Sequence, residues 1–116
     1  MPQITVDYSA SLDEDFDRRG FALALHPLVV ETVGARLAAC KTRTRRTEDT
    51  VVGDGAADDA LVHVGIDLLA GRGDEAKARL TEAVLALVPE FVKPAGGRAL
   101  HVSAEVHDLD PSYRSR

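Results

Sequence analysis

A two-residue alternation of apolar and polar side chains occurs three times in this chain, and it limits the possible folds more than any other feature. Ile4, Val6 and Tyr8 share one side of the first segment, with Gln3, Thr5 and Asp7 on the other. Val62, Val64, Ile66 and Leu68 alternate with His63, Gly65 and Asp67. Leu100, Val102, Ala104 and Val106 alternate with His101, Ser103, Glu105 and His107. Successive side chains of a strand point to opposite faces, so each segment reads as a strand buried on one face. A fourth, less apolar strand is expected from about Lys41 to Arg46.

Between these strands the apolar spacing lengthens to three and four. Phe21, Leu25, Leu28, Val29 and Val33 form one helical face, which Pro27 interrupts, predicting a kink near His26. Ala76, Leu80, Ala83, Val84, Leu87 and Phe91 form the second. That helix starts near Gly73-Asp74-Glu75, acidic as an amino terminus prefers, and Pro89 should kink or end it. The order is strand–helix–strand, a Gly- and Asp-rich connection from Thr47 to Asp59, then strand–helix–strand again. The expected fold class is α+β: one domain over 1–116, made of two βαβ units (about 1–52 and about 59–110) that form a four-stranded sheet. Right-handed crossovers put both helices on one face. The other face, lined by Thr5, Asp7, His63, Asp67, Ser103 and Glu105, is then either solvated or buried against other subunits.

At 116 residues the chain can bury one modest core, and 45% hydrophobic residues suit a folded domain. No run approaches the ~20 apolar residues of a membrane span. The start, Met1-Pro2-Gln3-Ile4-Thr5-Val6-Asp7-Tyr8, lacks the basic and apolar regions of a signal peptide, so a cytoplasmic protein is expected. Cys40 is the only cysteine, which fits a reducing compartment and reads as a small buried side chain. A formal net charge of −5 argues against nucleic acid as partner.

The stretch from Leu61 to Lys77 is a strand that leads through Ala70-Gly71-Arg72 into an acidic helix start, Gly73-Asp74-Glu75-Ala76-Lys77. It resembles the 4-oxalocrotonate tautomerase unit. The whole chain is more similar to the 5-carboxymethyl-2-hydroxymuconate isomerase family, in which two such units are fused. The resemblance runs in order through Met1-Pro2, His26-Pro27, Cys40-Lys41-Thr42-Arg43, Val62-His63, Ala70-Gly71-Arg72, Ser103-Ala104-Glu105 and Leu109-Asp110-Pro111. It implies a tautomerase-like homotrimer with no metal or organic cofactor. It also implies isomerisation of an unsaturated 2-hydroxy polycarboxylate to its 2-oxo form, most simply 5-carboxymethyl-2-hydroxymuconate in aromatic acid catabolism.

Under that resemblance Pro2 is the catalytic residue. Removal of Met1 turns its nitrogen from a tertiary amide into a secondary amine, a general base; an ordinary start context is the competing reading. A base works best with a pKa near the working pH. A guanidinium ~6 Å away at an effective dielectric of ~20 lowers an amine's pKa by ~2 units, about 3 kcal/mol. Arg72, at a helix amino terminus, is the first candidate to hold a substrate carboxylate, against the alternative of a solvated loop arginine. Lys41 and Arg43 are the further substrate-binding candidates. With Arg45 they alternate along one strand face, where protection of an edge strand is an equal alternative. The family resemblance suggests arginine at the position of Lys41. His63 and His101 read as hydrogen-bonded interface residues rather than metal ligands. Two other functions stay open: a different keto–enol tautomerase or dehalogenase-like activity, and a non-catalytic trimer that binds small molecules.

Overall fold

Two parallel strand pairs, joined back to back along one antiparallel seam, make up the sheet. In the computed structural model, which describes residues 1–116, β1 (Gln3–Ser9) lies between β2 (Lys41–Thr47) and β3 (Ala60–Leu68), and β4 (Leu100–Asp108) closes the order β2-β1-β3-β4. Gln3 faces Lys41 in the parallel β1–β2 ladder and Asp67 across the antiparallel β1–β3 seam. Ala60 faces Leu100 in the parallel β3–β4 ladder. Helix α1 (Arg18–Val33) crosses between β1 and β2, and α2 (Asp74–Leu87) between β3 and β4. The α+β fold and the two βαβ units are as the periodicities predict.

The alternating residues meet the helices on one face. Ile4, Val6, Val62, Val64, Ile66 and Leu68 are fully buried, as are Phe21, Leu25 and Val29 of α1 and Leu80 and Val84 of α2. Each such side chain contributes roughly 1.5–3 kcal/mol of burial energy, and together they fix the strand register. Phe16, Phe21 and Phe91 stack edge to face along one end of this layer, with centroids 5.8 and 6.1 Å apart. Pro89 ends α2 as expected; the chain tightens into a 3₁₀ turn over Val88–Glu90.

The helix is not broken at Pro27: it runs as one element from Arg18 to Val33 with the proline inside it. Proline removes the hydrogen bond to the carbonyl of Leu23. Leu23 is 60% exposed, so water can take that place at modest cost. The strong ends hold the rest: the Asp17 carboxylate accepts from the Gly20 amide at 3.0 Å, and Gly34 stops the helix in the left-handed region at φ 73°.

The opposite sheet face carries no helix. Its side chains bond laterally across strands: Arg45 makes a two-pronged pair with Asp7 at 2.8 and 3.1 Å. His63 bonds Ser103 at 2.6 Å and Glu105 at 3.2 Å, and His107 bonds the other Glu105 oxygen at 2.7 Å. The two imidazoles, His107 first, hold the Glu105 carboxyl below its usual range. His101 bonds Asp59 at 2.9 Å. No helix is long and apolar enough to cross a membrane.

Candidate active site at the amino terminus

Three connections converge where β1 begins. Pro2 is buried, and its carbonyl accepts a hydrogen bond from the Lys41 amide at 3.2 Å, one step before the β1–β2 ladder starts. That bond ties the chain's first residues to the start of the edge strand. The second connection is the turn from Gly34 to Cys40. Gly34 reverses the chain after α1, and a 3₁₀ turn over Leu37–Ala39 follows. The Arg36 carbonyl accepts from the Ala39 amide at 3.0 Å and from the Cys40 thiol at 3.6 Å, which pins the turn against the strand entry.

The third connection joins β3 to α2 and carries Arg72. Its Nε donates to the Val33 carbonyl at 3.1 Å, and its Nη1 donates to the Leu69 carbonyl at 3.2 Å. Val33 is the last residue of α1, so this guanidinium bonds one of the carbonyls that a helix end leaves without a partner. A cation there also complements the negative end of the helix dipole. Arg72 thus clamps the two halves of the chain together beside the amino terminus.

Electrostatics follow from this convergence. The amine of Met1 is held below the usual range of a chain amine, first by partial burial and then by the positive charge of Arg72, with Arg36 and Lys41 adding to it; the Cys40 thiol acts the other way. Each cause except the last disfavours the protonated form. The Cys40 thiol is itself pushed up by burial, so it stays neutral and is a poor nucleophile there. An amine in this place is therefore biased toward its basic, uncharged form.

The residues singled out from the sequence do not all gather here. Pro2, Arg72 and Lys41 do. Lys41 donates from Nζ only to the Ala39 carbonyl, at 3.4 Å. Arg43 lies on the open sheet face, where it bonds the Gln3 side-chain carbonyl at 3.0 Å and the Thr5 hydroxyl at 3.5 Å. Arg36 was not singled out, because it belongs to no periodic segment or motif. The signal available was its place, between a helix-ending glycine and Cys40-Lys41. His63 and His101 stand on the open face, and no three His, Cys, Asp or Glu side chains converge to hold a metal ion.

Known proteins agree with this architecture. A family model described as 5-carboxymethyl-2-hydroxymuconate isomerase matches residues 2–116. A 5-carboxymethyl-2-hydroxymuconate Delta-isomerase from Escherichia coli is 27% identical over 113 residues, covering 97% of this chain and 90% of that protein. The crystal structure of a 5-carboxymethyl-2-hydroxymuconate isomerase from Deinococcus radiodurans R1 is similar with a TM-score of 0.84 at 22% identity, covering 99% of this chain and 89% of that one. A symmetric trimer of fused 4-OT is similar with a TM-score of 0.74 at 25% identity, covering 98% of this chain and 90% of that one.

Proposed function

The chain belongs to the 5-carboxymethyl-2-hydroxymuconate isomerase family, with a tautomerase-like fold, and from that premise we propose that it is a tautomerase whose base is Pro2 once Met1 is removed. The substrate in this reading is an unsaturated 2-hydroxy polycarboxylate, with 5-carboxymethyl-2-hydroxymuconate first, as met in aromatic acid breakdown. The observation that supports it is the buried place of Pro2 at the strand entry, with the Met1 amine just ahead of it held below its usual range by partial burial and by the charges of Arg72, Arg36 and Lys41.

The reaction moves one proton. The neutral Pro2 nitrogen takes the proton of the 2-hydroxyl group, and the oxygen's electrons form the C2 carbonyl. The C2–C3 double bond shifts to C3–C4, and the electrons of the C4–C5 double bond take the proton back from Pro2 at C5. No atom is gained or lost. Negative charge passes along the diene during the transfer, and cations at the substrate carboxylates stabilise it as it develops. Arg72 and Lys41 take that role beside the amine, and Arg43 offers a third cation from the open face. The open sheet face, polar and without a helix over it, suits burial against further copies, so the working unit is a homotrimer; the fused 4-OT relative is described as a symmetric trimer.

The test compares two preparations of the same protein, defined by intact mass: one with Met1 removed and one that keeps a residue ahead of Pro2. Ketonisation of 2-hydroxymuconate and of its 5-carboxymethyl derivative is followed by ultraviolet absorbance. Turnover only by the processed form is expected. Equal activity in both preparations would rule out an amino-terminal base.

A further inference from the structure

Arg36, Lys41 and Arg72 lie on the connections that meet at the chain's first residues, with Lys41 bonded through its amide to the Pro2 carbonyl and Arg36 at the head of the turn that leads into it, but they are not equally free to bind a ligand. Arg72 spends Nε and Nη1 on the carbonyls of Val33 and Leu69. Lys41 is a single point charge that rests on the Ala39 carbonyl. The Arg36 backbone is fixed by its own carbonyl, which holds the Ala39 amide and the Cys40 thiol. Its side chain is exposed, and its guanidinium makes no hydrogen bond and no ion pair within the chain. A planar fork with both edges free can take a carboxylate through two parallel hydrogen bonds without giving up any bond within the chain.

The surroundings of Arg36 fit the rest of such a ligand. Leu37, its neighbour, is 56% exposed, and Leu69, whose carbonyl Arg72 holds, is 43% exposed. These are two of only four large apolar side chains so exposed in the chain, one next to Arg36 in sequence and the other on the carbonyl that Arg72 holds. A flat conjugated diene that ends in carboxylates matches that combination.

We propose that Arg36 is the two-pronged carboxylate anchor of this site and selects conjugated dienedioates, while Arg72 braces the site through its backbone bonds and contributes its charge to the transfer. This rests on the reading of the amino-terminal cluster as a substrate site, but it does not need Pro2 to act as a base. Arg36 is thus a binding residue, and its loss should appear in affinity and KM before kcat.

The probe is muconate, hexa-2,4-dienedioate, which lacks the 2-hydroxyl group and so cannot be tautomerised. Its binding to the processed full-length protein is measured by calorimetry for the parent, Arg36→Ala, Arg36→Gln and Arg36→Lys. Because the exposed Arg36 side chain makes no hydrogen bond or ion pair within the chain, all three variants should keep the parent's thermal midpoint. Arg36→Ala and Arg36→Gln should weaken muconate at least tenfold, and Arg36→Lys should recover only part of that. Turnover of 2-hydroxymuconate should show the matching rise in KM with kcat largely kept. A dissociation constant within twofold of the parent in Arg36→Ala or Arg36→Gln overturns the proposal. Full recovery in Arg36→Lys overturns it too, since a point charge would then suffice. If Pro2→Ala stays fully active while Arg36→Ala loses muconate, the base assignment fails and the anchor stands. If Pro2→Ala is inactive and Arg36→Ala binds normally, the anchor fails and the base stands.

Discussion

Replacing Arg72 with alanine should change two measurements for two separate reasons. The first is stability. The variant loses the hydrogen bonds from Nε to Val33 and from Nη1 to Leu69, at 3.1 and 3.2 Å. A bond from a charged donor contributes about 1.5–3 kcal/mol when shielded, but the Leu69 contact lies at the surface, where water can replace it. The net loss expected is therefore about 1–3 kcal/mol, well short of the sum of two shielded bonds. For a domain of this size that lowers the thermal midpoint by roughly 4–12 °C. The second measurement is the pH dependence of kcat/KM. The Arg72 charge is the largest cationic influence that holds the Met1 amine down, and the Pro2 nitrogen freed by processing lies one residue along from it. The working form is the neutral amine, present above its pKa, so removing Arg72 raises that pKa and moves the acidic limb of the profile to higher pH. Arg72→Lys, which keeps the charge but not both backbone bonds, should hold the limb near its place while losing part of the stability. Calorimetry at fixed protein concentration and a pH–rate profile on processed protein give both readings. An unchanged midpoint in Arg72→Ala would refute the clamp, and an unmoved acidic limb would refute the electrostatic account.

Other outcomes follow from the same geometry. Pro2→Ala, after removal of Met1, should fold normally and lose at least about tenfold in kcat/KM, at the low end of the usual ~10²–10⁴ for a general base because alanine still presents an amine. In the parent, kcat/KM should rise with pH through a pKa below the ~7.7–8.0 of an ordinary chain amine. A profile that is flat across that range would remove the amine from the mechanism. Light scattering at micromolar concentration should give the mass of three chains; a monomer mass would mean that the polar sheet face is simply solvated. Phe21→Ala, at a fully buried position between Phe16 and Phe91, should cost about 3–5 kcal/mol in denaturant unfolding, and a loss under 1 kcal/mol would show that the aromatic row does not hold this end of the core.

Most of the fold was legible because one face of β1, β3 and β4 is apolar and the other is not, whereas β2, all Lys, Thr and Arg, shows itself only by its place in the order. Val62 through Leu68 leave no doubt about which side is buried, and Phe21, Leu25, Val29 and Val33 mark the facing stripe of α1. Pro27 does not break α1, because one lost bond under an exposed turn does not divide an element held at both ends. The site was legible only in part. Arg72 lies on the quoted Gly-Arg stretch, but sequence says nothing of the carbonyls it reaches, since Val33 is far away along the chain. Lys41 and Arg43 look equivalent in an alternating strand. They differ because Lys41 sits at the strand entry beside Pro2, whereas Arg43 finds Gln3 and Thr5 across the ladder. Arg36 is invisible to periodicity. It comes to the strand entry beside Pro2 only because Gly34 turns the chain back after α1.

The antiparallel seam between β1 and β3 gives the chain an internal likeness that its chemistry does not share. Both halves are a strand, a helix and a strand, yet only the first begins at a chain end. The second half opens at Ala60, whose nitrogen is an ordinary peptide amide and donates to the Ala99 carbonyl at 2.9 Å. Nearby, Arg98 is already neutralised by Asp58 at 2.8 Å, and His101 by Asp59 when protonated. Covalent linkage of the two halves thus sets a stoichiometry of one ionisable backbone nitrogen for every two βαβ units. Under the threefold assembly proposed above, that would make three amines among six units, with the other three strand entries opening on peptide amides.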